Sequence, residues 1–154
     1  MALAFEKLHR FADAAYYYDM AISPILKRKS NYQTYYYYRS AWAYSKAGNW
    51  EFAFIRSDTA VTCIQKGSLP RYLGNADYED EVREMRMVSC LHHFHGTQAF
   101  ESARPDIDWI LSNSKFRYHG LASSIQKVNK SIPVIAKEFD KLTVNPIIEN
   151  IHRN

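Results

Sequence analysis

His92, His93 and His95 stand together in the run HHFH, and histidines so grouped can hold a metal ion or move protons. His92 and His95 are three positions apart and would share a helical face, but two imidazoles do not complete a zinc site. Cys90 lies off the usual ligand spacing. The expectation is one histidine packed inside a helical hairpin and two at the solvent or groove face. The carboxylates offer little more. Asp106 and Asp108 would point to different faces of a helix start and Asp58 stands alone on its helix, so caps and solvated charge account for them and paired acid–base catalysis has no natural site. The chain also lacks a glycine-rich phosphate loop, an HExxH pair and a nucleophile elbow. No enzymatic activity is expected, and no catalytic residue, metal or cofactor.

A second stretch points to recognition rather than reaction. Residues 35–42 read YYYYRSAW. Successive helical residues fan out by about 100° each, so no single core can bury four consecutive tyrosines. Some of these rings must face something else.

The elements that position these residues are helical throughout, because apolar residues recur at three and four rather than at two. Ala14, Tyr17 or Tyr18, Ala21 and Ile25 form one stripe, ended by Pro24 and KRKSN. A second helix runs from Asn31 or Tyr32 to Ala47 and stops at Gly48; Asn49 caps a third, with Phe52, Ala53, Ala60 and Ile64, that ends near Gly67. Beyond a loop holding Pro70, Gly74 and Asn75, a fourth helix is expected from Asp77 to His95, with acidic residues at its positive end and Gly96 closing it. Ser102 and Pro105 would open a fifth, with Ile107, Trp109, Ile110 and Leu111 inside. Further helices are expected at 116–129, with Leu121, Ile125 and Val128 in register, and at 132–142, before a short turn at Asn145-Pro146.

With 154 residues, nearly half of them apolar, the chain can bury a continuous core without disulfide or metal support. No apolar run is long enough to span a membrane, and the N-terminus lacks the order of a secretory signal. Two cysteines, Cys63 and Cys90, suggest no disulfide framework, so a reducing compartment, cytoplasmic or nuclear, is the default. The net charge of +4 is unevenly placed: Lys27, Arg28 and Lys29 are basic, 77–84 is acidic, and the C-terminal third is basic again. Such runs usually mark a solvated face, and the alternative is an electrostatic footprint for RNA.

Internal comparison is the most informative step. FEKLHRFADAAYYYDMAI and AYSKAGNWEFAFIRSDTAV share a pattern in which an aromatic, Phe5 or Tyr44, is followed by Phe11 or Trp50, then by Ala14 or Ala53, then by Ala21 or Ala60. With Ala41 and Gly48 added, the second segment resembles the tetratricopeptide repeat family, the first resembles a truncated unit of it, and Leu91, Phe94, Phe100, Ala103, Ile107 and Ile110 suggest a degenerate third. The resemblance implies an all-α fold of about seven helices: antiparallel hairpins stacked as a short right-handed solenoid over 1–112, with capping helices over 113–154 in the same domain. It further implies a non-enzymatic protein-interaction scaffold that holds a peptide or helix of another protein in a groove.

By that resemblance Tyr35, Tyr38, Arg39, Trp42 and Lys46 face the groove, with His92 and His95 as neighbours, while Tyr37, Ala41 and Tyr44 pack inward and Tyr36 is exposed or lies under the preceding loop. The alternative is that Tyr35, Tyr38 and Trp42 pack on the helices of the first unit. Phe5, Leu8 and Phe11 are expected at an apolar N-terminal edge that could join a second copy. RNA contact through Lys27, Arg28 and Lys29 is an alternative reading. A co-chaperone role is another, although Arg39, Met85 and Ser89 depart from the family's carboxylate clamp.

Overall fold

A computed structural model describes residues 1–27, 32–68, 76–113 and 120–127. The described residues are all helical apart from the connections: α1 (Ala2–Lys7), α2 (Phe11–Lys27), α3 (Gln33–Lys46), α4 (Trp50–Gln65), α5 (Ala76–His93), α6 (Gly96–Asn113) and α7 (120–127). Each of α1 to α6 packs on the next, and α3 also touches α5. The expected all-α, repeat-like array is therefore what forms. The helices proposed at 132–142 and the turn at 145–146 lie outside the described residues, as do 69–75, Arg28, Lys29 and the side chain of Lys27.

The array is built on a repeated chain reversal. Where α3 ends, Gly48 takes φ 77° and its N–H donates to Ser45, while the Asn49 N–H reaches back to Tyr44 O at 2.9 Å. At the end of α4, Gly67 takes φ 80°, with matching bonds from Gly67 to Ile64 and from Ser68 to Cys63. These are Schellman closures, in which a left-handed residue turns two amides back onto orphan carbonyls. The end of α1 repeats the pattern with His9 in the left-handed position at φ 55°. Asn49 then starts α4 by accepting the Phe52 N–H at 3.2 Å, the cap its sequence position implies. Helix α1 ends at Lys7 as α3 ends at Lys46, and α2 opens at Phe11 as α4 opens at Trp50. The two hairpins thus repeat with one constant displacement.

Small residues set the approach of the helices. Ala14, Ala15, Ala41, Ala43, Ala53 and Ala60 are fully buried, so backbones come close where larger side chains would hold them apart. Tyr37 joins Ile22, Val61, Ile64 and Val82 in the central core, and Met87, Cys90, Ala103, Ile107, Ile110 and Ile125 form the core of α5, α6 and α7.

Three expectations about element ends are corrected. Helix α2 continues through Pro24 to Lys27. Helix α5 stops at His93, and Gly96 opens α6 rather than closing α5, so that Pro105 sits well inside a helix instead of in its first turn. Both prolines are exposed, on faces where solvent can satisfy the carbonyl that loses its donor. In α6 the buried series Ala99, Ala103, Ile107, Ile110 runs unbroken past the proline, and this apolar face outweighs the missing bond. On α7, Leu121 is 41% exposed, and Ala122 takes the inward place beside Ile125.

Candidate functional site

A groove of about 340 Å³ opens between α3 and α5. Tyr38, Trp42, Ser45 and Lys46 line one wall, Glu81, Glu84, Met85 and Val88 the other, and Trp50 closes one end. Two contacts fix its register. The Tyr38 hydroxyl donates to Glu81 at 3.4 Å, and the Trp50 ring stacks on His92 with centroids 3.9 Å apart and planes within 10°. Higher numbers on one wall thus meet higher numbers on the other: the walls run in parallel, as the first and third of three consecutive antiparallel helices must. The carboxylates of Glu81 and Glu84 stand toward the Tyr38 end, and Lys46 and Trp50 toward the other.

The residues expected to face a groove divide into three groups. Tyr38, Trp42 and Lys46 do line it, and His92 stands beside it through the stack on Trp50. Tyr35 lies elsewhere, in a cavity of about 320 Å³ walled by Met1, Leu3, Tyr17, Tyr18 and Tyr36, edge-on to Tyr36 at 5.3 Å. Arg39 is engaged within the molecule. It pairs with Glu6, donates to the Tyr18 hydroxyl at 3.3 Å, and lies 5.0 Å over the Trp42 ring. Burial works against its charge, but the bond to Tyr18 leaves its pKa raised.

Trp42 serves both surfaces. It packs against the core of Ala14, Ala15, Tyr18 and Ala43 and meets Phe11 edge-on at 5.6 Å, while it also lines the groove. Phe11 therefore belongs to the α2–α3 packing and not to a free N-terminal edge. Phe5 is half-buried, stacked on Tyr17 at 5.1 Å with Arg10 above it; Leu8, 66% exposed, keeps the edge position. Tyr36, expected to be exposed or under a loop, packs instead against both the α2–α3 core of Ala14, Ala15, Tyr18 and Ala43 and the central core around Tyr37.

The HHFH run is distributed. His93 stacks on Phe54 at 5.7 Å inside the α4–α5 contact, while His92 and His95 are exposed. His95 faces neither His92 nor the groove. With Leu91, Phe94, Ala99, Phe100 and Ile125 it lines an apolar cavity of about 520 Å³ between α5, α6 and α7. Among the described residues, no three His, Cys, Asp or Glu side chains are grouped to hold a metal ion, and no helix is long and apolar enough to cross a membrane.

Sequence reasoning missed two ionic clusters. Asp106 is not a solvated cap residue: it is fully buried in α6 and receives two bonds from Arg86 at 2.6 and 2.7 Å and one from Arg83 at 3.2 Å. Arg86 also donates to Asp58 at 2.8 Å, so Asp58 is not alone. Arg83 reaches Glu79 and lies 4.4 Å over the Trp109 ring. Burial pushes the Asp106 carboxyl up while Arg86 and Arg83 pull it down. In the second cluster Asp19 of α2 accepts from Ser40 at 2.6 Å and Tyr44 at 3.0 Å on α3, and from Arg56 of α4 at 2.9 and 2.7 Å. Burial and the bond to Asp19 push the Tyr44 phenol up to about 12. A signal was present in the sequence: Asp19 and Asp58 stand two positions before Ala21 and Ala60, at matching places in the two hairpins.

Among known proteins, no family model, curated protein or solved structure matches this chain. The likeness to tetratricopeptide repeats stays a reading of the sequence pattern, and the fold by itself is an all-α array of consecutively packed helices.

Proposed function

We propose that this chain is a non-enzymatic interaction scaffold that holds an extended segment of another protein in the groove between α3 and α5. One observation carries the reading. Tyr38, Trp42, Trp50 and Met85 converge on a single open groove whose charged side chains stand at its margins. Rigid aromatic rings give large contact area at low entropic cost, tryptophan and tyrosine dominate binding hot spots, and methionine adapts to varied apolar side chains.

Charge favours a protein partner over the alternatives. Among its described lining residues the groove has no basic stripe of the kind a phosphate backbone needs, Lys46 being accompanied there by Glu81 and Glu84. A terminal carboxylate of the kind a co-chaperone clamp takes is disfavoured because Arg39, which stands at a clamp position, is committed to Glu6 and Tyr18.

Selection from a random octapeptide display library tests the reading. Peptides enriched on the wild-type chain should lose binding to Met85→Arg, which fills the groove with a charged side chain on a half-buried position. Absence of enrichment, or equal capture by the folded Met85→Arg variant, would sink it. So would oligouridine binding at about 150 mM salt that competes with the selected peptides.

A further inference from the structure

The two hairpins repeat, but their first helices differ in length: α3 has fourteen residues and α1 six. With Lys7 matching Lys46, Ala2 matches Ala41, so α1 covers α2 only along the part that corresponds to 41–46. The consequence can be read along α2. Its buried Ala14, Tyr18 and Ile22 match the buried Ala53, Ser57 and Val61 of α4, but Ala21 and Ile25 stay partly exposed where their matches Ala60 and Ile64 are buried. Tyr37, from the part of α3 to which α1 has no equal, packs in the core with Ala60 and Ile64. Beside Ala21 lies the cavity of about 320 Å³ walled by Tyr17, Tyr18, Tyr35 and Tyr36, with Leu3 at its edge 55% exposed.

We propose that this cavity is the docking site of a helix from a different protein, which lies along α2 in line with α1 and packs there as 33–40 packs on α4. The chain supplies the template for its occupant. Along 33–40 the buried side chains are Thr34, Tyr37 and Ser40, a small, an aromatic and a small residue at three-residue steps on one helical face. A partner helix with that stripe sets its ring over Ala21 and Ile25, against tyrosine walls that give contact area at low entropic cost. The place is one position in a row of packed helices, which stand about 8–10 Å apart, so a helix fills it and an extended strand does not. Among the described residues α2, α3, α4 and α5 each already pack on two neighbouring helices, and a second copy would have to open its own array to lend one.

Selection from a helix-constrained peptide library tests the proposal. Helices enriched on the wild-type chain should carry an aromatic residue flanked at three-residue spacing by alanine, serine or threonine. Inserting QTYYYYRS between Met1 and Ala2 continues α1 by the turns that α3 has; it should occupy the site and weaken binding of these helices about tenfold or more. Ala21→Arg, which sets a long charged side chain in the cavity, should do the same, while Met85→Arg in the α3–α5 groove should leave this binding unchanged. The insertion guards against misfolding, because it should raise the urea midpoint. No enriched helix, equal capture by the insertion variant, or an insertion that does not raise the midpoint would overturn the proposal. So would a wild-type dimer that the insertion converts to a monomer, since a second copy would then hold the site.

Discussion

The ionic seam between the helices and the groove between α3 and α5 draw on similar residue types, yet they stand in opposite relation to the rest of the chain. In the seam, Asp19 and Asp106 are met from several sides: four bonds reach Asp19 from Ser40, Tyr44 and Arg56, and three reach Asp106 from Arg83 and Arg86. In the groove, aromatic rings and charged side chains line an open space. A charge surrounded by its own chain contributes to folding, and removing one partner leaves the other desolvated. A charge at the rim of an open groove is screened by solvent and contributes less to folding. Mutations should therefore separate the two regions by what they change.

The largest effect is expected at Asp106. Asp106→Ala removes three bonds at once and leaves Arg83 with only Glu79 and Arg86 with only Asp58, so it should cost about 3 kcal/mol or more, read by urea unfolding. Asp19→Ala should cost less, about 2–3 kcal/mol, because its cluster retains some solvent contact, and a smaller loss at Asp106 than at Asp19 would invert the ranking of burial. Tyr44→Phe removes one hydroxyl donor to Asp19 and should cost about 1 kcal/mol.

Alkaline pH probes the same seam and core. The Tyr18 and Tyr44 phenols move from 10.0 to about 12, chiefly through burial, and burial moves the Cys90 thiol from 9.0 to about 12. The folded chain keeps these protons after the unfolded chain has released them, so their stabilisation is complete below about pH 9 and is lost as pH rises to about 12. Urea midpoints measured across this range should fall, and Tyr44→Phe should flatten the part of the decline that begins near pH 10. A flat wild-type profile would contradict the buried placement of these groups.

A smaller gain is expected at the α1–α2 turn. His9 occupies a left-handed position that glycine fills at the ends of α3 and α4, so His9→Gly should raise stability by about 0.5–1 kcal/mol. Smallest of all, Leu8→Glu should leave stability unchanged, since its side chain is exposed. Light scattering on the same variant tests whether the N-terminal edge joins a second copy, in which case a wild-type dimer should become monomeric.

The sequence revealed features that depend on neighbours along the chain. Gly48 and Asn49 announced a helix end and a cap, and the alanines at matching places in the two hairpins announced close helix contact. It was less informative wherever the outcome depended on which faces meet. Pro105 resembled a helix start because proline is favoured in a first turn, and nothing local weighs that preference against the buried face Ala99, Ala103, Ile107 and Ile110 that carries α6 past it. Asp106 resembled a solvated cap because nothing local shows that Arg83 and Arg86, one turn apart on the preceding helix, will face it. The tyrosine run shows both sides of this limit. Its helical fan implied that the rings must diverge, and they do: Tyr37 into the core, Tyr38 to the groove, Tyr35 to the N-terminal cavity, and Tyr36 between two cores. That Arg39 would be taken by Glu6, on a helix 33 residues earlier, could not be read from its surroundings.

The three tryptophans allow the central claim to be tested within one molecule. Trp42 and Trp50 line the groove, whereas Trp109 lies under Arg83 beside the Asp106 cluster. In a nitrogen-15 NMR titration with a library-selected peptide, the indole N–H signals of Trp42 and Trp50 should shift together and saturate at one stoichiometric equivalent, while that of Trp109 stays in place. A peptide that binds but moves Trp109, or leaves Trp42 and Trp50 unmoved, would contradict the account.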